Sequence, residues 1–210
     1  MDINKFIKRN PYLYHLTDKE NAGIIMEQRR ILSTVTIINA SNIPDKNTFL
    51  RKRRPDHTTI NIDGVEYKIR DQRPISILAL SKCVTDNWDT GDFIYHLNRR
   101  VFLWPNLKRL QIHYQRYQDE KPVIFRFSSQ DILNIHPNAE FCRLNSGATR
   151  ANSHLGGKAP ERGKDTFQIA SAYTFPVSSV AEVTIPDYCT LPTEFDTSGK
   201  PNGPWDSYSY

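Results

Sequence analysis

Between Arg100 and Tyr114 an apolar, strand-like run, Arg100-Val101-Phe102-Leu103-Trp104, passes through Pro105 directly into a segment with helical periodicity. Leu107, Leu110, Gln111 and Tyr114 recur at three- and four-residue spacing, which sets them on one helix face, while Arg99, Arg100, Lys108, Arg109 and Arg116 stay in water. Pro105 suits the first helical turn, where its missing N–H has no partner to lose. Such a unit carries Tyr114 on the helix ten residues after Trp104 at the strand end, and the two rings are expected to wall a pocket. Upstream, Tyr12-Leu13-Tyr14-His15-Leu16-Thr17 reads as a second strand, with His15 and Thr17 on one face. It ends at Asp18, a good N-cap, with Asn21 at the capping-box offset.

With 210 residues the chain fits one domain, residues 1–192, followed by a polar, Gly- and Pro-broken tail, residues 193–210, that is expected to fray. Hydrophobic residues are only 38%, but Phe 10, Tyr 10 and Trp 3 mean that rings supply much of the core. The net charge of +5 includes the run Arg51-Lys52-Arg53-Arg54, which attracts phosphate through counterion release and permits DNA or RNA as a partner.

Cys83, Cys142 and Cys189 lack Cys-x-x-Cys spacing, so neither a disulfide framework nor a zinc site is expected, and a reducing cytoplasm fits best. His57, His96, His113, His136 and His154 have no ligand-like spacing and read as structural or exposed; no metal is expected. The chain has no eighteen-residue apolar stretch and no signal-like segment, so no membrane partner is expected. Neither Gly-x-Gly-x-x-Gly nor a P-loop motif is present, which excludes the usual Rossmann and P-loop readings.

Elsewhere, helices are expected over residues 21–30, 46–53, 74–84, 91–97 and 130–134, and strands over 34–38, 123–127, 139–144, 165–172 and 180–185. Residues 58–62 and 65–69 alternate apolar and polar side chains around Asp63-Gly64, a strong hairpin signal. The loop 145–164 carries donors at Asn145, Ser146, Arg150 and Arg162 that suit a pyrophosphate or a nucleic-acid phosphate.

His15-Leu16-Thr17 resembles the His-x-Ser/Thr first motif of the diphtheria-toxin-like ADP-ribosyltransferases, and Val101 to Tyr114 resembles their second. Over nearly its whole length the chain also resembles a bacterial family of unassigned function. The shared motifs are His15 to Thr17, Asp71-Gln72, Leu97 to Trp104, Asn145-Ser146-Gly147 and Arg162 to Phe167, with one extra residue in the centre, so that Arg99 or Arg100 matches its arginine. The resemblance implies an α+β fold of two abutting small sheets with flanking helices, and NAD as co-substrate in the cleft between them. His15 would hold the ribose and Tyr114 would stack on nicotinamide, with Thr17, Asn21, Phe102, Trp104, Asn145 and Ser146 completing the NAD site.

Transferases of this group carry a third-motif glutamate. Counting back fourteen residues from Glu182, the offset in the related DNA-modifying toxins, lands on Gln168, with Thr166 and Glu161 as alternatives. The catalytic candidates are then His15, Arg100, Gln168 and Thr166, and the nucleic-acid contacts Arg51, Lys52, Arg53, Arg54, Arg150 and Arg162. The implied activity is NAD-dependent ADP-ribosylation of a nucleic-acid base, as a toxin or phage-defence effector with an antitoxin partner. The alternatives are a catalytically silent nucleotide or nucleic-acid binding module on the same fold, or an NAD hydrolase.

Overall fold

The structure is a computed structural model that describes residues 1–151 and 155–210, so His154 lies outside the described residues. In its first part the chain forms α1 (Ile3–Arg9), β1 (Tyr12–Thr17), α2 (Lys19–Gln28), β2 (Arg30–Leu32), α3 (Thr34–Ala40), α4 (Lys46–Arg51), the hairpin β3 (Thr58–Ile62) and β4 (Val65–Ile69), α5 (Ile77–Leu80) and α6 (Thr90–Asn98). There follow β5 (Arg100–Leu103), α7 (Leu107–Tyr117), β6 (Val123–Ser128), α8 (Ser129–Ile135), β7 (Glu140–Cys142), β8 (Gln168–Ile169), β9 (Glu182–Pro186), β10 (Tyr188–Thr190), β11 (Glu194–Ser198) and β12 (Asp206–Ser209).

The architecture is α+β. One four-stranded antiparallel sheet has the order β1-β6-β11-β12 and another the order β5-β9-β7-β8, while β10 pairs with β2 and β3 with β4. The two larger sheets meet at a single bridge: the Tyr14 N–H donates to the Trp104 carbonyl at 3.0 Å and the Trp104 N–H to the Tyr14 carbonyl at 2.8 Å. Rings fill the core as the composition requires, with Phe125, Phe127 and Phe195 in mutual contact at centroid distances of 5.7–6.1 Å.

Local chemistry accounts for most boundaries. Asp18 caps α2 by accepting from the Asn21 N–H at 2.9 Å, and Asp89 and Asp92 make a full capping box at the start of α6. Positive φ at Asp63 and Gly64, 51° and 87°, makes the tight turn between β3 and β4.

Several expectations are corrected. Residues 34–38 are helical, despite their β-branched side chains, because Ser33 caps the Thr36 N–H and the helix buries Val35 and Ile38 one turn apart. The helix expected over 74–84 shrinks to α5, since the chain leaves it so that Thr85 and Arg162 pair backbone to backbone: the Thr85 N–H donates to the Arg162 carbonyl and the Arg162 N–H to that of Cys83. Of the strand expected over 165–172 only β8 exists; Lys164–Thr166 is a 3₁₀ turn and the chain turns again after Ile169. The tail does not fray. β11 pairs with β6 and β12 with β11, Phe195 is 4% exposed, and its ring stacks on Tyr208 at 5.5 Å, so the domain runs past residue 192.

Phe195→Ala is therefore expected to destabilise the protein by about 3–5 kcal/mol, and a chain cut after residue 192 to lose its cooperative urea transition. A truncated chain with the transition of the full protein would restore the free-tail reading.

Candidate functional site

A cavity of about 790 Å³ lies beside the bridge between the sheets, a size that suits a nucleotide. β1 contributes His15 and Thr17, β5 Phe102 and its following Trp104, β9 Glu182, and the loop after β7 contributes Asn145 and Ser146. The His15 Nδ1 lies 3.1 Å from the Phe102 carbonyl. Since a carbonyl only accepts, Nδ1 carries the proton and Nε2 keeps its lone pair. Burial, reinforced by the charge of Arg70, pushes the His15 pKa down to about 4, so the ring is neutral at pH 7.

The helix α7 is rotated from the expected face. Leu110 and Tyr117 are buried in one cluster with Tyr14, Leu16 and Trp104, and His113 and Tyr117 line the cavity; half-buried Tyr114 packs at the margin of that cluster and lines a separate hollow beside Gln111 and Lys200. Tyr114 is thus not a wall of the main cavity, and the ring that meets Trp104 there is His113, at a centroid distance of 4.3 Å. Burial, with Arg70 and Arg116 adding to it, takes the His113 pKa down to about 3. Pro105 lies before the helix, which Asn106 caps through the Arg109 N–H.

Gln168 and Thr166 do not line the cavity, and neither does Glu161. Gln168 pairs with Phe141 in the sheet, and the Thr166 hydroxyl accepts from the Gly163 N–H at 3.0 Å. Two carboxylates reach it: Asp71, which is paired with Arg73 at 2.8 Å, and Glu182, 5% exposed, whose Oε2 accepts from the Ser146 N–H at 2.9 Å. Burial raises its pKa, against the hydrogen bonds from Ser146 and the charges of Arg162 and Arg109. The signal for it was a lone acid inside the apolar run Val180 to Ile185.

Other candidates have structural work. Asn21 uses both amide ends on the backbone of Lys68, at 2.7 and 3.0 Å, and so ties α2 to β4. Arg100 borders the cavity but its guanidinium is engaged by Glu140, at 2.6 and 3.0 Å, and by the His96 carbonyl. Arg99 pairs with Asp187 at the surface. Arg162 is buried and donates to the Asn145 and Ala148 carbonyls, which shapes the Asn-Ser-Gly turn and removes it as a nucleic-acid contact. Asn145 accepts from Arg109 at 2.7 Å, whereas Arg150 is exposed at the cavity mouth.

The basic run 51–54 does not form an outward face either. Arg51 pairs with Asp92 at 2.6 Å, Arg53 donates to the Gln72 and Arg73 carbonyls, Arg54 is buried, and only Lys52 is exposed. The exposed positive charge among the lining residues comes from Arg30, Arg116 and Arg150, since exposed Arg73 is paired with Asp71 at 2.8 Å.

The sequence profile of a defined family matches residues 11–194. The chain belongs to DUF7002, a family of unknown function. The DUF7002 match runs from just before β1 to the first residue of β11 and so takes in every wall of the cavity. No curated protein and no solved structure matches the chain.

His15, His96 and His113 titrate lower in the folded protein, at about 4, 3 and 3, than the ordinary 6.5. Below pH 6.5 the unfolded chain therefore binds more protons, and stability falls as pH drops toward 4. Tm should decline across that window, and His113→Gln should shrink the decline by roughly a few degrees. An identical decline in that variant would mean that His113 is not held neutral by its surroundings.

Proposed function

We propose that this DUF7002 protein is an NAD-dependent ADP-ribosyltransferase whose acceptor is a nucleic-acid base. The observation that carries the reading is that His15 of β1, Trp104 just after β5 and Glu182 of β9 line one nucleotide-sized cavity at the junction of two small sheets. It agrees with the resemblance of His15 to Thr17 and of the strand-to-helix unit to the first two transferase motifs, and it supplies a carboxylate for the third.

In this reading His15 holds the ribose through Nε2, and Trp104 with His113 offers aromatic faces to the nicotinamide, whose cationic ring such faces attract. Glu182 accepts from the ribose 2′-hydroxyl and stabilises the positive charge that grows on the ribose as the bond to nicotinamide breaks. Nicotinamide leaves with the bonding electron pair, and the acceptor nitrogen or oxygen attacks the anomeric carbon from the opposite face and sheds its proton. Catalysis is positioning and electrostatics throughout. The exposed arginines of the lining, Arg30, Arg116 and Arg150, suit a polyanionic acceptor better than the run 51–54 does. Such an activity fits a toxin or phage-defence effector.

The test is nicotinamide release from NAD with and without single-stranded DNA or RNA. Glu182→Gln, which keeps the side chain's shape, should lower turnover by about 100- to 1000-fold while NAD affinity stays within a few-fold. Gln168→Ala should leave turnover unchanged. Release without any acceptor would make the protein an NAD hydrolase; binding without release in the wild type would make it a silent module.

A further inference from the structure

The cavity wall holds more cationic hydrogen-bonding capacity than ribosyl chemistry uses. Arg54 is 7% exposed and lines the cavity. Its Nη2 donates to Asn98 Oδ1 at 3.1 Å and its Nε to the Arg70 carbonyl at 3.3 Å, but Nη1 is buried with no partner among the described residues. A polar bracket holds it in this pose. The Asn98 amide donates to the Leu50 carbonyl at 2.7 Å, Gln72 Nε2 donates to the same Asn98 oxygen at 3.1 Å, and Gln72 Oε1 accepts from the Arg54 N–H at 3.1 Å. Two of the motifs noted in the sequence, Asp71-Gln72 and Leu97-Asn98, thus converge on one arginine.

Arg70 lies just beyond β4 and also lines the cavity. Its guanidinium covers the Tyr117 ring at 4.3 Å, and all three of its nitrogens are buried without a hydrogen-bond partner among the described residues. The Glu120 Oε2, at 3.6 Å, is too long for a hydrogen bond and is approached by Lys68 as well, while Glu120 Oε1 engages His57 at 2.9 Å. Buried donors without acceptors are rare in folded proteins, and four guanidinium nitrogens in one wall form a group that an anion completes.

We propose that Arg54 and Arg70 form a built anion subsite that seats the pyrophosphate of a dinucleotide. The position of Arg70 argues for a bridging group and not a terminal one. It follows Ile69, which packs in an apolar cluster with Ile37 and Tyr67, and its guanidinium lies over the Tyr117 ring of α7. Apolar lining on one side and aromatic lining on the other suit the group that joins the two halves of a dinucleotide. Assigning the anion to NAD rests on the transferase reading; the anion seat itself rests on the unmet donors.

The experiment is calorimetry and thermal shift on the full chain with three probes: inorganic pyrophosphate, nicotinamide and NAD. Wild-type protein should bind pyrophosphate in competition with NAD. Arg70→Met should weaken both at least tenfold and leave nicotinamide binding unchanged, with Lys52→Ser as an exposed basic control that changes neither. Arg54→Met should act like Arg70→Met; because Arg54 is the more deeply buried, Arg70→Met decides the matter if Arg54→Met does not fold. Wild type that ignores pyrophosphate, or folded Arg70→Met that binds it as tightly as wild type, overturns the subsite. Loss of pyrophosphate binding in Arg70→Met, with NAD ignored by wild type, supports the anion seat and overturns the transferase reading. Equal NAD turnover by wild type and Arg70→Met keeps the transferase and removes the subsite.

Discussion

The reciprocal pair of backbone hydrogen bonds between Tyr14 and Trp104 is the constraint on which the rest of the site depends. Two short antiparallel sheets each end in an edge with unpaired N–H and C=O groups. Here the two edges share one backbone bridge among the described residues, with a cavity beside it. The same contact brings the Phe102 carbonyl to His15, which selects the tautomer of the ring, and it sets the Trp104 indole against α7. Cavity, tautomer and aromatic wall follow from one bridge.

Where local chemistry decided the structure, the sequence was readable. The hairpin of β3 and β4, the strand β1 and the Asp18 cap stand where pattern and turn residues put them, because those signals act over a few residues. Residues 34–38 were misread because a serine cap and a buried face outweighed β-branched propensity. The tail was misread because β11 is stabilised by β6, some seventy residues earlier, as Arg126 opposite Asp196 shows. In α7 the elements were right and the face was not: Leu110 belongs to both candidate stripes, and one residue of difference turns a helix by about 100°. That rotation exchanges Tyr114 for His113 and Tyr117.

Charge was the hardest property to read. Four consecutive positives look like a surface patch, yet a helix end and the turn after it send Arg51, Arg53 and Arg54 to different partners. Glu182 shows the converse, since a single acid in an apolar strand is the more informative sign precisely where it looks out of place for packing. A linear run reports charge density and leaves direction open. Direction is what separates a solvated face from a buried seat for an anion.

The walls of the cavity are drawn from distant parts of the chain: His15 from β1, Arg70 from the hairpin, Trp104 from the centre and Glu182 from β9. β6 must find β1 more than a hundred residues upstream and β11 well downstream before the first sheet exists. Pairings of that separation carry a loop-closure cost that local contacts do not, and every wall of the cavity depends on them. A proteolytic nick in any of the connecting loops would leave fragments that each hold only a part of the cavity. The cavity therefore exists only once both sheets are paired, and no single stretch of the chain carries it.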